Sequence, residues 1–261
     1  MTDDLQDAPA GLRLEIDGPV ATMTLCRPDV LNAQTPQMWS ALSEFARTLP
    51  GDVRVVVVCG EGRAFSAGLD LAVAGSLTTG GGTFGELLSR SDDEALTRIA
   101  GFQGAFGWLR RPDIVSIAAV QGHAIGAGFQ LALACDMRVV ADDAKFAMAE
   151  VTLGLVPDLG GTKRLVELVG YGRALELCVT GRRVLADEAF RTGLANVVVP
   201  VDQLDGAVRD LTAAVLAGPR DAVVEIKALL SGAAGHSFEE QESAERNAQL
   251  RRLRDLTGTG E

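Results

Sequence analysis

Histidine, cysteine and positive charge are all scarce in this chain, and each scarcity removes a class of chemistry. Only two histidines occur in 261 residues, His123 and His236. A Ser–His–Asp triad or a His-rich metal site therefore has little to stand on, and no metal site is expected. The four cysteines, Cys26, Cys59, Cys135 and Cys178, lie in apolar stretches with no CxxC pairing. That pattern reads as buried free thiols in a reducing compartment. Lys and Arg number 24 against 35 Asp and Glu, a formal net charge of −11. Such a balance argues against a nucleic-acid partner or an anionic membrane surface. An anionic ligand would need local donors, namely helix N-termini and a few Arg or Lys. No apolar run reaches transmembrane length, and the acidic Met1–Ala10 stretch lacks the basic and apolar regions of a signal peptide. The expected location is cytoplasmic.

What is present is apolar residue and glycine. Hydrophobic residues make up 47% of the chain, enough for a sizeable core in one large domain or a domain with a small appendage. Leu12 to Ile16 alternates, Asp17-Gly18 turns the chain, and Val20 to Leu25 continues as the second arm of a hairpin. Thr35-Pro36 starts a helix, with Thr35 as N-cap and Pro36 in the first helical position. Met38, Leu42, Phe45 and Leu49 then recur at helical spacing. Val53 to Cys59 is a β-branched run, the pattern of a strand buried on both faces. Residues 72–85, with Gly80-Gly81-Gly82, read as a mobile loop, and 86–110 as helical.

Beyond it the spacing predicts a strand over 114–120, a helix over 128–134 and a strand from Met137 to Ala141. Helices follow over Gly160–Val169, Gly172–Thr180 and Ala186–Arg191, then a strand over Asn196–Val199. Alternating strands and helices point to an α/β fold with parallel pairing, in a spiral or layered arrangement. From about residue 200 the chain turns helical, with stripes at Leu204, Val208, Leu211 and Val215 and at Val223, Ile226, Leu229 and Leu230. Ser237 to Leu256 is a charged helix in which Ser237 and Gln241 stand near a capping arrangement. Striped helices ending an α/β chain pack on a partner, so oligomerisation is expected. The division is a disordered lead-in over 1–11, a core over 12–200 and a helical region over 201–261.

Several glycine motifs fail their tests. Gly60-Glu61-Gly62 and Gly126-Ala127-Gly128 lack the third glycine of a dinucleotide fingerprint, and Gly160-Gly161-Thr162-Lys163 lacks the order of a phosphate loop. Ser66 is not on a nucleophile elbow, because Ala64 replaces the first glycine. As a pair, the turns after Cys59 and Val120 hold more interest. Each follows a buried strand, and each can present backbone N–H groups to one point, where they would stabilise an enolate oxygen. The helix starting near Ala127 adds its positive end. The same glycines also serve any tight turn, and both readings stay open on these residues alone. Glu150 and Asp158 sit in apolar company, which raises a carboxyl pKa if they are buried. Their alternative is a solvated loop carboxylate. Gln130 can hydrogen-bond but cannot shuttle protons at neutral pH, and its alternative is the exposed face of a short helix.

Four ordered motifs resemble those of the crotonase (enoyl-CoA hydratase/isomerase) superfamily. Arg27-Pro28-Asp29-Val30-Leu31-Asn32-Ala33 is similar to its first ligand-binding turn, and Ala64-Phe65-Ser66-Ala67-Gly68-Leu69-Asp70-Leu71 to its first oxyanion loop. Val120 to Asp136 and Ala144 to Leu165 resemble its central block, and the likeness covers roughly residues 12 to 235. It implies a crotonase-like α/β spiral of ββα units with a C-terminal helical oligomerisation region, assembled as homotrimers or hexamers. It also implies an acyl-CoA thioester substrate, as in fatty acid metabolism, with no cofactor beyond the coenzyme A of that substrate.

By position, Leu69 and Ala127 would supply the two oxyanion-hole N–H groups. Arg27, Ala67, Gly68, Asp70, Gly126 and Gln130 would border substrate or CoA. Glu150 takes the place of the family's second catalytic glutamate, and Asp158 that of an aspartate used by some isomerases. Gln130 stands where hydratases carry their first glutamate. A hydratase holds one water between two carboxylates, whereas an isomerase can work with one well-placed acid/base. The expected activity is therefore enolate chemistry, with double-bond isomerisation slightly favoured. The alternatives are 2-enoyl-CoA hydration by Glu150 and Asp158, or a non-catalytic acyl-CoA-binding protein. A second departure is the C-terminus, which ends without the aromatic-and-lysine tail that covers CoA in relatives.

Overall fold

The computed structural model describes residues 10–70, 72 and 82–258. The lead-in expected over 1–11 lies almost wholly outside the described residues, as does the centre of the loop expected over 72–85, whose last residues, 82–85, are helix rather than loop. The hairpin forms as its sequence predicts, β1 (Leu12–Asp17) pairing antiparallel with β2 (Val20–Leu25). Parallel pairing then joins β2 to β3 (Val55–Gly60) and β3 to β4 (Val115–Val120). A second sheet begins at β5 (His123–Ile125), while β6 (Met137–Ala141) returns to pair with β4. β7 (Lys145–Ala147) and β8 (Val184–Leu185) complete the second sheet, and β9 (Val197–Val199) pairs with β6. The two orders are β1-β2-β3-β4-β6-β9 and β5-β7-β8. The second sheet was not legible in the sequence. Its strands are two or three residues long and sit inside glycine-punctuated turns, too short to show a period of two.

Helices follow the strands in turn. They are α1 (Pro36–Thr48), α2 (Gly82–Leu88), α3 (Asp92–Gly107), α4 (Ala127–Ala134), α5 (Gly161–Val169), α6 (Tyr171–Thr180) and α7 (Ala186–Arg191). Three more end the chain, α8 (Leu204–Ala217), α9 (Arg220–Ala233) and α10 (Phe238–Thr257). Thr35 caps α1 as expected, its side chain accepting from the Met38 N–H at 3.2 Å. At α10 the expected partner is corrected. The capping box pairs Ser237 with Glu240, three residues on, while Gln241 faces His236 Nδ1 at 2.9 Å. Each turn of the spiral runs from the large sheet to the second layer and on to a helix, as in β4, β5 and α4. Isolated bridges extend that layer through the earlier turns, Ser66 beside Ala124 and Gln34 beside Leu69.

The valine run of β3 explains the core. Val56 and Val58 face one apolar cluster with Phe65, Phe129 and Phe146. Val55 and Val57 face a second with Ile117, Val139, Leu204 and Val208, which α8 covers. Successive residues of a strand point to opposite faces, so a strand with helices on both sides needs apolar residues at every position. One charge is also fully buried. Arg138, 1% exposed, donates to the Leu194 carbonyl at 2.5 Å and the Cys135 carbonyl at 2.9 Å, and burial pushes it down to about 10. None of the four cysteines is in a disulfide, but only Cys135 is buried; the other three are half-buried, a correction to the expected burial of all four. Among the described residues no helix is long and apolar enough to cross a membrane.

Candidate active site

The first wall of the site is the loop after β3, and a buried polar network holds it. Leu31 and Asn32 both adopt left-handed backbone, φ 53° and 55°. Such a pair is unfavourable for residues other than glycine, and it is held by the Asn32 side chain. Its Oδ1 accepts from the Arg27 N–H at 2.8 Å, and its Nδ2 donates to the carbonyls of Glu61 at 2.9 Å and Ala64 at 2.8 Å. Gln34 Nε2 donates to Ser66 Oγ at 3.1 Å, Ser66 Oγ donates to the Asn32 carbonyl at 2.8 Å, and the Gly68 N–H donates back to Ser66 Oγ at 3.2 Å. Backbone bonds from Gln34 N to Gly68 O and from Asp70 N to Gln34 O clamp the two residues beside Leu69. Asn32, Gln34 and Ser66 are each 0% exposed.

The second wall is the turn between β5 and α4. Gly68, at φ +87°, lies so close to this turn that a methyl group on it would stand 2.4 Å from Ile125 O and 3.4 Å from Ala127 N. The approach brings the two loops together at Leu69 and Ala127. Among the described residues neither the Leu69 nor the Ala127 N–H donates to a protein acceptor, and Ala127 opens α4, where orphan donors and the positive end of the helix coincide.

Glu150 stands over the same turn. A methyl on Gly126 would lie 3.4 Å from Glu150 Oε1. That oxygen accepts from Gln130 Nε2 at 2.7 Å, while Glu150 Oε2 is buried without a partner among the described residues. Burial raises the Glu150 pKa, against the lowering effect of the Gln130 hydrogen bond, and the negative charge of Asp158 raises it further. Burial raises Asp158 as well. Both carboxylates are half-buried rather than solvated. Gln130 is not on an exposed face: it is 1% exposed, and its Oε1 accepts from Leu159 N at 2.8 Å and Gly161 N at 3.2 Å.

These groups border one cavity of about 900 Å³. Ala67, Gly68, Leu69, Asp70, Gly126, Ala127, Gln130, Glu150 and Asp158 all line it; Arg27 does not. Arg27 instead fastens the first loop from behind, donating to Asp70 Oδ2 at 2.9 Å and to the Ala33 carbonyl at 2.6 Å. The remaining wall is apolar, with Trp39 and Phe102 in edge contact at 4.9 Å and Leu87 and Ile99 beside them. The supporting trio of Asn32, Gln34 and Ser66 escaped sequence reasoning, because nothing in the sequence marks a polar residue as buried.

The comparison that decides kinship is a match to the enoyl-CoA hydratase/isomerase family over residues 15–257. The chain belongs to the enoyl-CoA hydratase/isomerase family. Its members are enzymes of CoA thioesters, and the mixed α/β spiral is the fold the resemblance implies. The match passes residue 235, where the resemblance was expected to stop. A Mycobacterium tuberculosis protein assigned as an enoyl-CoA hydratase is 36% identical over 193 residues, covering 73% of this chain and 69% of that one. The carnitinyl-CoA dehydratase of Salmonella arizonae is 35% identical over 243 residues, 92% of this chain and 87% of that one. Among solved structures, a Thermobifida fusca YX protein assigned as an enoyl-CoA hydratase, in complex with CoA, is 50% identical with TM-score 0.88 and covers 95% of each chain. Its acetoacetyl-CoA complex gives 49% identity, TM-score 0.89 and coverage of 94% and 96%.

Proposed function

We propose that this family member moves a proton at the α-carbon of an acyl-CoA thioester through an enolate, and that double-bond isomerisation is the reaction its site favours. The Leu69 and Ala127 N–H groups would receive the thioester oxygen as charge develops on it, and Ala67, Gly68, Asp70 and Gly126 would border the thioester and the start of CoA. A 3-enoyl thioester loses its α-proton to a carboxylate. The electron pair moves onto the carbonyl oxygen, and a proton returned at the γ-carbon leaves the double bond between the α- and β-carbons. Glu150 and Asp158 are the acid/base groups for the two transfers. The observation that carries this reading is the Gln130–Glu150 contact, which puts an amide where a second water-holding carboxylate would stand. The CoA and acetoacetyl-CoA complexes of the Thermobifida fusca protein support the ligand class.

Hydration of a 2-enoyl-CoA by Glu150 and Asp158 is the second reading, favoured by the hydratase assignment of several relatives. Purified protein offered 2-enoyl- and 3-enoyl-CoA thioesters, followed by absorbance of the conjugated thioester, separates the two. Glu150→Gln should lower either rate by about 10²–10⁴-fold; unchanged turnover overturns the assignment. Trimer or hexamer assembly and a cytoplasmic setting belong to the same reading. The exposed apolar side chains of Leu230, Phe238, Leu253 and Leu256 support the first, the absence of a disulfide among the four cysteines the second. A sedimentation mass of one 27.3 kDa chain would sink the assembly.

A further inference from the structure

The side chain of Gln130 has its orientation fixed by backbone groups. Its Oε1 accepts from two N–H groups, Leu159 at 2.8 Å and Gly161 at 3.2 Å, and a backbone N–H can only donate. The NH2 end is therefore aimed away from α5, and it meets Glu150 Oε1 at 2.7 Å. The fit is tight on the α5 side as well, because a methyl on Gly161 would lie 2.8 Å from Gln130 Cγ. Of the two carboxyl oxygens of Glu150, one is thus held and the other, Oε2, is buried with no protein partner among the described residues. A glutamate at position 130 could accept from the same two amides but could donate nothing to Glu150 while ionised.

We propose that Gln130 is a positioning residue: clamped by the Leu159 and Gly161 amides, it holds Glu150 by Oε1 and leaves Oε2 as the one Glu150 oxygen that exchanges a proton with the substrate. The inference rests on the enolate reading above and deepens it. Gln130 moves no proton itself. Its effect is on the rotamer and proton affinity of Glu150, because a donor to a carboxylate stabilises the ionised form. Among the described residues, the other titratable groups facing Glu150 are Asp158, in the loop before α5, and the Cys178 thiol of α6. Neither donates to it.

The test is deuterium incorporation at the α-carbon of trans-3-hexenoyl-CoA in D2O, followed against pH. Gln130→Met removes both halves of the clamp, and Gln130→Glu keeps the acceptor for Leu159 and Gly161 but removes the donor. In both, the acidic limb of kcat/KM should move up by about one to two pH units, a fall of about 10–100-fold below the limb, with KM near wild type. In Gln130→Glu the limb should broaden as two carboxyls share a proton. A limb that stays in place in both variants, with the loss confined to KM or melting temperature, overturns the proposal and leaves Gln130 a structural residue. Should either variant fold poorly, the wild-type enzyme supplies the second measurement. The Gln130 side-chain 15N–H2 resonances should shift with the same midpoint as that limb, and resonances insensitive to pH overturn the clamp. Wild-type protein that exchanges no α-proton, yet whose Gln130 resonances titrate, overturns the enolate reading alone.

Discussion

At the residue scale the site is two carboxyls held in a setting that disfavours their charge. Burial raises both Glu150 and Asp158, each above its ordinary carboxylate range. A carboxyl whose pKa is higher folded than unfolded binds its proton more tightly in the native state, so the native state binds more protons across the window between the two values. Stability then falls as pH rises through that window, and the penalty is fully present above the folded value. Glu150→Gln and Asp158→Asn should therefore raise the melting temperature at neutral pH while lowering turnover, and the gain should vanish below the ordinary carboxylate pKa. Thermal melts of the variants from pH 3 to pH 8 check this; a gain that persists at acid pH contradicts it. The apolar neighbours of both carboxyls were legible, since Phe146, Met148 and Leu159 stand beside them in sequence. The environment of Gln130 was not. Its partners are backbone N–H groups 29 and 31 positions away, and no side-chain pattern announces a backbone donor.

At the element scale two loops from successive turns of the spiral make one surface, and the first is held by Asn32. Asn32→Ala removes three hydrogen bonds of a residue with no exposure and leaves the carbonyls of Glu61 and Ala64 without that donor. At about 1–1.5 kcal/mol for each lost bond, the cost is about 3–4.5 kcal/mol, and Leu31 and Asn32 lose what keeps them left-handed. Urea unfolding should show that loss, and it should be accompanied by weaker binding of acyl-CoA; a variant within ~0.5 kcal/mol of wild type would remove the network from the account. Sequence periodicity found the long strands and most helices to within a residue or two, for example β6 and α7 at their full expected lengths, but the stretch 86–110 divides into α2 and α3, the second opened by a Ser91 capping box. It missed β5, β7 and β8 because two or three residues carry no period.

At the scale of the whole molecule the helical end is tied to the sheet by charge as well as by apolar contact. The apolar stripe of α9 pointed to Ile226 and Leu230, but these are 56% and 71% exposed in the single chain, while Lys227 between them is 8% exposed. Its Nζ donates to the Ile114 carbonyl and to Asp136 Oδ2, each at 2.7 Å, where β4 begins and just before β6. Arg54 adds bonds to the Leu216 and Gly218 carbonyls at the end of α8. Breaking a buried pair by removing one partner costs about 3–5 kcal/mol, discounted here to about 2–3 because Asp136 keeps Ser116 and some solvent. Lys227→Ala should lose that amount in chemical unfolding; Lys227→Met, which keeps the stem's packing, should recover part of it. The strand order of the large sheet has one further consequence. β2, β3, β4, β6 and β9 lie side by side in the order in which the chain makes them, so each added turn needs only the edge left by the one before. The molecule can therefore assemble outward from its middle like a short solenoid. Amide hydrogens should resist exchange longest in β3 and β4 and progressively less toward β9. The two loops that meet at Gly68 would then become a site only once the third turn has closed.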